Sequence, residues 1–224
     1  MAEKRSRTRA TYHHGDLRAA LVAAGVTLAR DGGPQAVVLR EVARVVGVAP
    51  NSAYGHFTTL TALKRAVAQR ARGDMAEAMS AHLDAVAPAT PEDPQEGART
   101  YLREVGRAYV RYALTEPGLF RTAMGGDPVG IRVPGVPDDT PELDGDDRPK
   151  PSALLLRALD RMVEAGCLRP EDTGRAVMAS WATVHGLSIM LLDLLPQLTA
   201  EQQDAAIGDA LDVLVAGLTA PNLT

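Results

Sequence analysis

Residues Leu39 to Leu63, LREVARVVGVAPNSAYGHFTTLTAL, decide the reading of this chain. Leu39, Val42, Ala43 and Val46 recur at i, i+3, i+4 and i+7, which is one apolar face of a helix over Leu39–Val46. Gly47 breaks that pattern where a chain reversal needs positive φ. Pro50 suits the opening of a second helix, because a first-turn N–H would have no intrahelical partner. This second helix, about Pro50–Phe57, carries small or polar side chains at Asn51, Ser52, Ala53 and Gly55. Two short helices about a tight turn, the second one slim, form the element that enters a DNA major groove.

The distribution of charge agrees. The 224-residue chain has a formal net charge of −4, which alone argues against a nucleic-acid partner. Residues 1–73, however, hold 12 Lys and Arg against 4 Asp and Glu, and residues 74–224 hold 12 against 24. A basic head on an acidic body suits a chain that docks one end on phosphates. Aromatic residues make up only 4% of a chain rich in Ala, Leu and Val, which favours helices over sheet. The single cysteine, Cys167, excludes an intrachain disulfide and suits a reducing compartment. The basic N-terminus lacks the apolar core of a signal peptide, and no apolar run is expected to reach the roughly 18 residues of a bilayer span. These features predict a soluble, cytoplasmic protein.

Along the chain, residues 1–11 read as a basic flexible arm. A first helix is expected over Asp16–Arg30, ended by Asp31-Gly32-Gly33-Pro34. After the helix pair comes a long helix, Leu60–Val86, stopped by Pro88 and a polar linker. Further helices fit Glu96–Thr115, Pro151–Ala165, Asp172–Leu195 and Ala200–Leu218, with a short turn holding Phe120 and Met124. Residues 125–150, rich in Gly, Pro and Asp, read as a flexible loop. The expected fold is all-α: a three-helix DNA-binding domain over residues 12–59, then a helical effector-binding and dimerisation domain over 60–224.

The helix pair resembles that of the TetR family of transcriptional repressors. The family's Gly-Val-Ser turn, Tyr-x-His-Phe run and following Leu stand here as Gly47-Val48-Ala49, Tyr54-Gly55-His56-Phe57 and Leu63. Tyr12-His13-His14-Gly15-Asp16-Leu17-Arg18 resembles the opening of one subgroup. Trp181-Ala182-Thr183-Val184-His185-Gly186 resembles the Trp-x-x-x-His-Gly signature in the ligand-binding half of that subgroup.

The resemblance implies a double-stranded DNA operator as partner. Asn51 and Ser52 would face base edges, while Tyr54 and His56 would hold phosphates and fix register. Pro50, Thr58, Thr59, Lys64 and Arg40 would extend that interface, and Arg5, Arg7 and Arg9 of the arm could follow the adjacent groove or remain a solvated tail. Phe57 is expected to plug the three-helix core. Two departures stand out: Val38 replaces the family's usual Ser or Thr cap, and Leu60 replaces its usual Lys.

Trp181 and His185, four apart, share one helical face, which Met178 and Val177 extend. From the residues alone this face is either packed core with a satisfied histidine or the apolar wall of a ligand cavity with one polar handle. The resemblance implies the cavity and a small apolar or amphipathic effector, with Phe120, Met124, Tyr109, Tyr112 and Met162 as further lining candidates. It also implies a homodimer through the last two helices, which present Leu187, Leu191, Leu194, Ile207, Leu211 and Leu214.

Catalysis and cofactors are not expected. Phosphate-loop, dinucleotide, zinc-protease, Cys-x-x-Cys and Gly-x-Ser-x-Gly patterns are all missing from the sequence. His13-His14 offers no third metal ligand, and the acidic residues 138–147 lack the spacing of a calcium loop. The alternative reading is an all-helical enzyme or small-molecule carrier that does not bind DNA.

Overall fold

Gly47 adopts φ 78 and ψ 28, the left-handed conformation that turns one short helix into the next. The computed structural model describes residues 14–86, 93–125 and 150–219. The arm with Arg5, Arg7 and Arg9, residues Tyr12 and His13, and the acidic segment expected as a loop lie outside those residues. Among the described residues every regular element is helical.

The head comprises α1 (His14–Ala36), α2 (Leu39–Val46) and α3 (Pro50–Tyr54). Leu39, Val42 and Ala43 of α2 are buried, as their spacing requires. The Gly47 and Val48 amides return to the Arg44 and Ala43 carbonyls and close the α2 C-terminus. Phe57 is 3% exposed and plugs the head, with the Arg18 guanidinium 5.1 Å above its ring.

The first helix departs from expectation. Rather than ending at Arg30 it continues to Ala36, with one non-helical residue, Gly33, at φ 64 and ψ −165. Glycine permits that kink, and Pro34 then opens a last short turn.

The long helix α4 (Leu60–Val86) begins as expected. Its start is capped by Thr59, whose Oγ1 accepts the Ala62 amide at 3.0 Å. Its apolar face, including Leu63, Val67, Ala71, Met75 and Met79, is buried along the full length. Then follow α5 (Pro94–Thr115), α6 (Pro117–Met124), α7 (Pro151–Glu164), α8 (Thr173–Ile189) and α9 (Ala200–Thr219). A π-helical turn, Met190–Leu194, extends α8.

Helix α5 is the centre of the body and packs on α4, α6, α7, α8 and α9. Leu102, Val105, Val110 and Ala113 are among its buried residues. Each buried Leu or Val among them contributes about 1.5–3 kcal/mol, and the Ala113 methyl less. Helix α6 packs on α1 and α4 as well as on α5, and so lies between head and body.

The expectation that no run is long enough to span a bilayer needs correction. Pro170–Leu194 is long and apolar enough by length and composition, with a mean hydropathy of 1.4 over its best window. Its Val, Leu, Ile, Met and Ala residues raise the hydropathy, while interspersed Gly, Ser and Thr keep them from forming an obvious apolar block. Only 28% of that window is buried within the chain.

Candidate DNA-binding face and aromatic effector cluster

On the head, Pro50, Asn51, Ser52, Tyr54, Thr58 and Thr59 are all exposed, and buried Ala53 is the side on which α3 rests against the core. Tyr54 is 54% exposed. His56 and Lys64 are half-buried at the edge of this surface. Thr59, expected as a DNA contact, also acts as the cap of α4, a role that the Thr-Leu-Thr-Ala spacing could have revealed. Arg40 projects into solvent and shares Glu41 with Arg44, at 3.4 and 2.8 Å. Arg44, not singled out from the sequence, thus stands on the same exposed face. The two guanidiniums hold the Glu41 carboxyl below its usual range, led by the Arg44 hydrogen bond.

The two departures from the family pattern behave as their chemistry dictates. Val38 sits in extended geometry before α2 and supplies no side-chain cap. Leu60 is 40% exposed and places an apolar side chain at the start of α4.

In the body, α5, α6 and α8 bring five of the eight lining candidates together. Trp181 and His185 stack with ring centroids 5.4 Å apart and planes at 24°. Phe120 lies 5.7 Å from His185 and meets Tyr109 edge-on, also at 5.7 Å. The Tyr109 hydroxyl is 3.1 Å from His185 Nδ1 and 3.5 Å from Met124 Sδ. Burial pushes the Tyr109 phenol well above its usual range and lowers the His185 imidazole, so one is protonated and the other neutral at pH 7. The Trp181 indole lies toward the Tyr109 hydroxyl but outside hydrogen-bond geometry, and its Nε1 is left buried without a partner.

The remaining three candidates fall elsewhere. Tyr112 lines a separate pocket of about 390 Å³ with Arg30, Asp74, His82, Arg111 and Glu116. Its turn of α5 points it there, and burial with the Glu116 and Asp74 carboxylates pushes its phenol up to about 12. Met178 is 39% exposed on α8, along the side that carries exposed Ala182 and Gly186, and joins none of the aromatic contacts. Met162 is fully buried in α7 as part of the hydrophobic core.

No local pattern signals the ties that surround the cluster. Two hydrogen bonds join Arg121 of α6 to Asp193 of the π-helical turn. Arg72 of α4 donates to the Ala123 carbonyl of α6 at 3.0 Å, and Arg30 of α1 pairs with Glu116 at 3.0 Å. Partners this distant in sequence carry no periodic signal. Among the described residues, no group of three or more His, Cys, Asp or Glu side chains could hold a metal ion.

Residues 102–217 match the sequence family described as Tetracyclin repressor-like, C-terminal domain. No curated protein matches the chain. Among solved structures, a protein of unknown function from Rhodococcus sp. RHA1 aligns with a TM-score of 0.64 and 21% identity, covering 94% of this chain and 100% of that one. A TetR variant from Acinetobacter baumannii AYE, in complex with minocycline, aligns at 0.59 and 21%, covering 92% and 96%. A possible TetR family transcriptional regulator from Streptomyces coelicolor A3(2) aligns at 0.59 and 18%, covering 92% and 100%. The all-helical fold is common to these structures, and the family match spans just over half of the chain. This chain belongs to the TetR family of transcriptional regulators.

Proposed function

We propose that the chain is a homodimeric repressor that binds a palindromic operator and releases it when a small apolar or amphipathic molecule enters the Tyr109–Phe120–Trp181–His185 cluster. Residues 12–59 form the DNA-reading unit and 60–224 the effector and dimerisation unit. Asn51 and Ser52 read base edges, while Tyr54, His56 and the Arg40 side of α2 hold phosphates. Regulators of this family are generally not enzymes, and the structurally similar TetR variant from Acinetobacter baumannii AYE is in complex with a small molecule, minocycline.

The observation that carries the reading is the position of α6. One side of this helix supplies Phe120 and Met124 to the aromatic cluster. The other meets α1 so closely that a Cβ on Gly118 would lie 2.2 Å from the Arg30 carbonyl oxygen. A ligand that shifts Phe120 therefore displaces α1 through backbone contact, not through a flexible side chain. The resulting change in DNA affinity can be no larger than the ligand's preference between the two head positions.

The dimer reading rests on α8 and α9, but not on Leu191, Ile207 and Leu211, which are buried in the chain's own core. Met178, Ala182 and Gly186 of α8 and Met190 and Leu194 of the π-helical turn recur every four residues as one exposed stripe. Val213 of α9 is 75% exposed, and a Cβ at Gly186 or Gly217 would meet nothing. A second copy packed on these helices buries the stripe and explains an apolar yet unburied α8 in a soluble protein. Such a pair would present recognition helices about 34–36 Å apart.

The test is fluorescence anisotropy on DNA flanking the protein's own gene, over a salt series, with footprinting on the same fragment. A palindromic footprint with affinity falling steeply as salt rises is expected. Equal, weak binding to unrelated DNA would overturn the repressor reading.

A further inference from the structure

The aromatic cluster contains a polar group that the regulatory mechanism does not use. Trp181 Nε1 is enclosed and has no hydrogen-bond partner among the described residues. A buried N–H in that position is costly, and a ligand that supplies an acceptor recovers the loss. The tautomer of His185 adds to this. Tyr109 Oη lies 3.1 Å from Nδ1, and when the phenol proton serves that contact rather than Met124 Sδ the ring proton sits on Nε2. Nε2 makes no hydrogen bond to any described residue. The stacked indole and imidazole thus present two N–H donors beside a wall formed by Phe120 and Tyr109.

Charge is missing from this wall. Tyr109, Phe120, Met124, Trp181 and neutral His185 carry none, and Arg121, next to Phe120, is held by Asp193. An anion would be desolvated with no counter-charge, and a cation would face N–H donors. A pure hydrocarbon would leave the indole unpaired.

We propose that the effector of this cluster is an uncharged, planar molecule bearing a carbonyl-type oxygen that accepts the Trp181 indole N–H, with His185 Nε2–H as a second donor. The proposal rests on the reading of the cluster as the effector site. It makes Trp181 the specificity-determining residue, through its nitrogen as well as its ring.

The test uses three probes on one ring frame: 1-indanone, indane and indane-1-carboxylate. Trp181 is the chain's only tryptophan, so a proton–nitrogen correlation spectrum of the full-length protein shows one indole side-chain signal. Saturable titration with 1-indanone should move that signal downfield, with affinity roughly tenfold above that of indane. The carboxylate should leave it in place. In Trp181→Phe, which keeps a ring and removes the donor, ligand-observed titration should show 1-indanone falling to the affinity of indane. The smaller ring lowers affinity for both probes, so the ketone-to-indane ratio is the readout, and an unchanged circular dichroism melt is the control for folding. Equal, saturable binding of ketone and hydrocarbon would overturn the proposal while leaving the effector site standing, as would tightest binding by the carboxylate. No saturable binding of any probe would remove the effector-site reading together with the proposal.

Discussion

At the scale of single residues, the proposed function divides the head into positioning and reading side chains. Tyr54 is exposed beside Asn51 and Ser52, and its hydroxyl suits a phosphate, which is the same at every base pair. Tyr54→Phe should weaken binding to operator and unrelated DNA by the same factor, about 3- to 10-fold for one lost hydrogen bond. Asn51→Ala should instead change preference at one position of each half-site. Anisotropy against a set of single-base operator variants checks both, and a change of sequence preference in Tyr54→Phe would refute the division. In the body, burial lowers the His185 pKa below its unfolded value of about 6.5. The unfolded chain therefore binds the proton more readily, and this contribution to stability is intact above about pH 6.5 and declines as pH falls below it. Thermal unfolding from pH 7.5 to 5 should show a shallower decline in His185→Gln than in the wild type.

At the scale of elements, two helix ends are decisive. Val38 has the extended backbone of a capping residue, at φ −123 and ψ 132, but no oxygen to offer. Val38→Thr should add about 1 kcal/mol to stability by closing the first turn of α2, measured by urea unfolding. It should also tighten DNA binding, since a hydroxyl at that end can reach phosphate. Gly118 is the opposite case. The first turn of α6 has no room for a methyl group, because the Arg30 and Ala29 carbonyl oxygens lie 2.2 and 2.4 Å from its position. Backbone cannot step aside as a side chain can, so Gly118→Ala should cost about 1–3 kcal/mol in urea unfolding. A variant as stable as the wild type would mean that α1 and α6 separate readily and could not transmit a displacement.

At the scale of the whole molecule, the exposed apolar stripe on α8 and α9 is the proposed assembly surface. Met190 and Val213 are 46% and 75% exposed, so replacing them removes little packing inside one chain. Met190→Glu combined with Val213→Glu should leave the unfolding midpoint of the single chain nearly unchanged. In sedimentation velocity it should convert the dimer to a monomer. Operator affinity should fall with it, because one head meets only half of a palindrome. A double variant that remains dimeric would place the interface elsewhere.

The sequence by itself determined the helices and the head. Periodicity located α2, α4, α5 and α9 because each has an apolar face that one core must cover, and Gly47 and Pro50 marked the turn through backbone sterics alone. It also placed Trp181 over His185, since residues four apart on a helix must meet. What it missed was either a local exception or a distant pairing. The first helix passed its expected stop because Gly33 absorbs a kink without ending the packing of the turn beyond it. Only the tertiary structure decided which apolar residues are cluster, core or surface. Tyr109, Tyr112, Met162 and Met178 all looked like lining residues, but what packs against each one put them in four different environments. The same holds for α6. Its eight residues carry no strong pattern, and its place between the aromatic cluster and α1 depends on contacts that join residues tens of positions apart. Local chemistry thus fixes which segments are helices, while packing, which no local pattern encodes, fixes what those helices bring together.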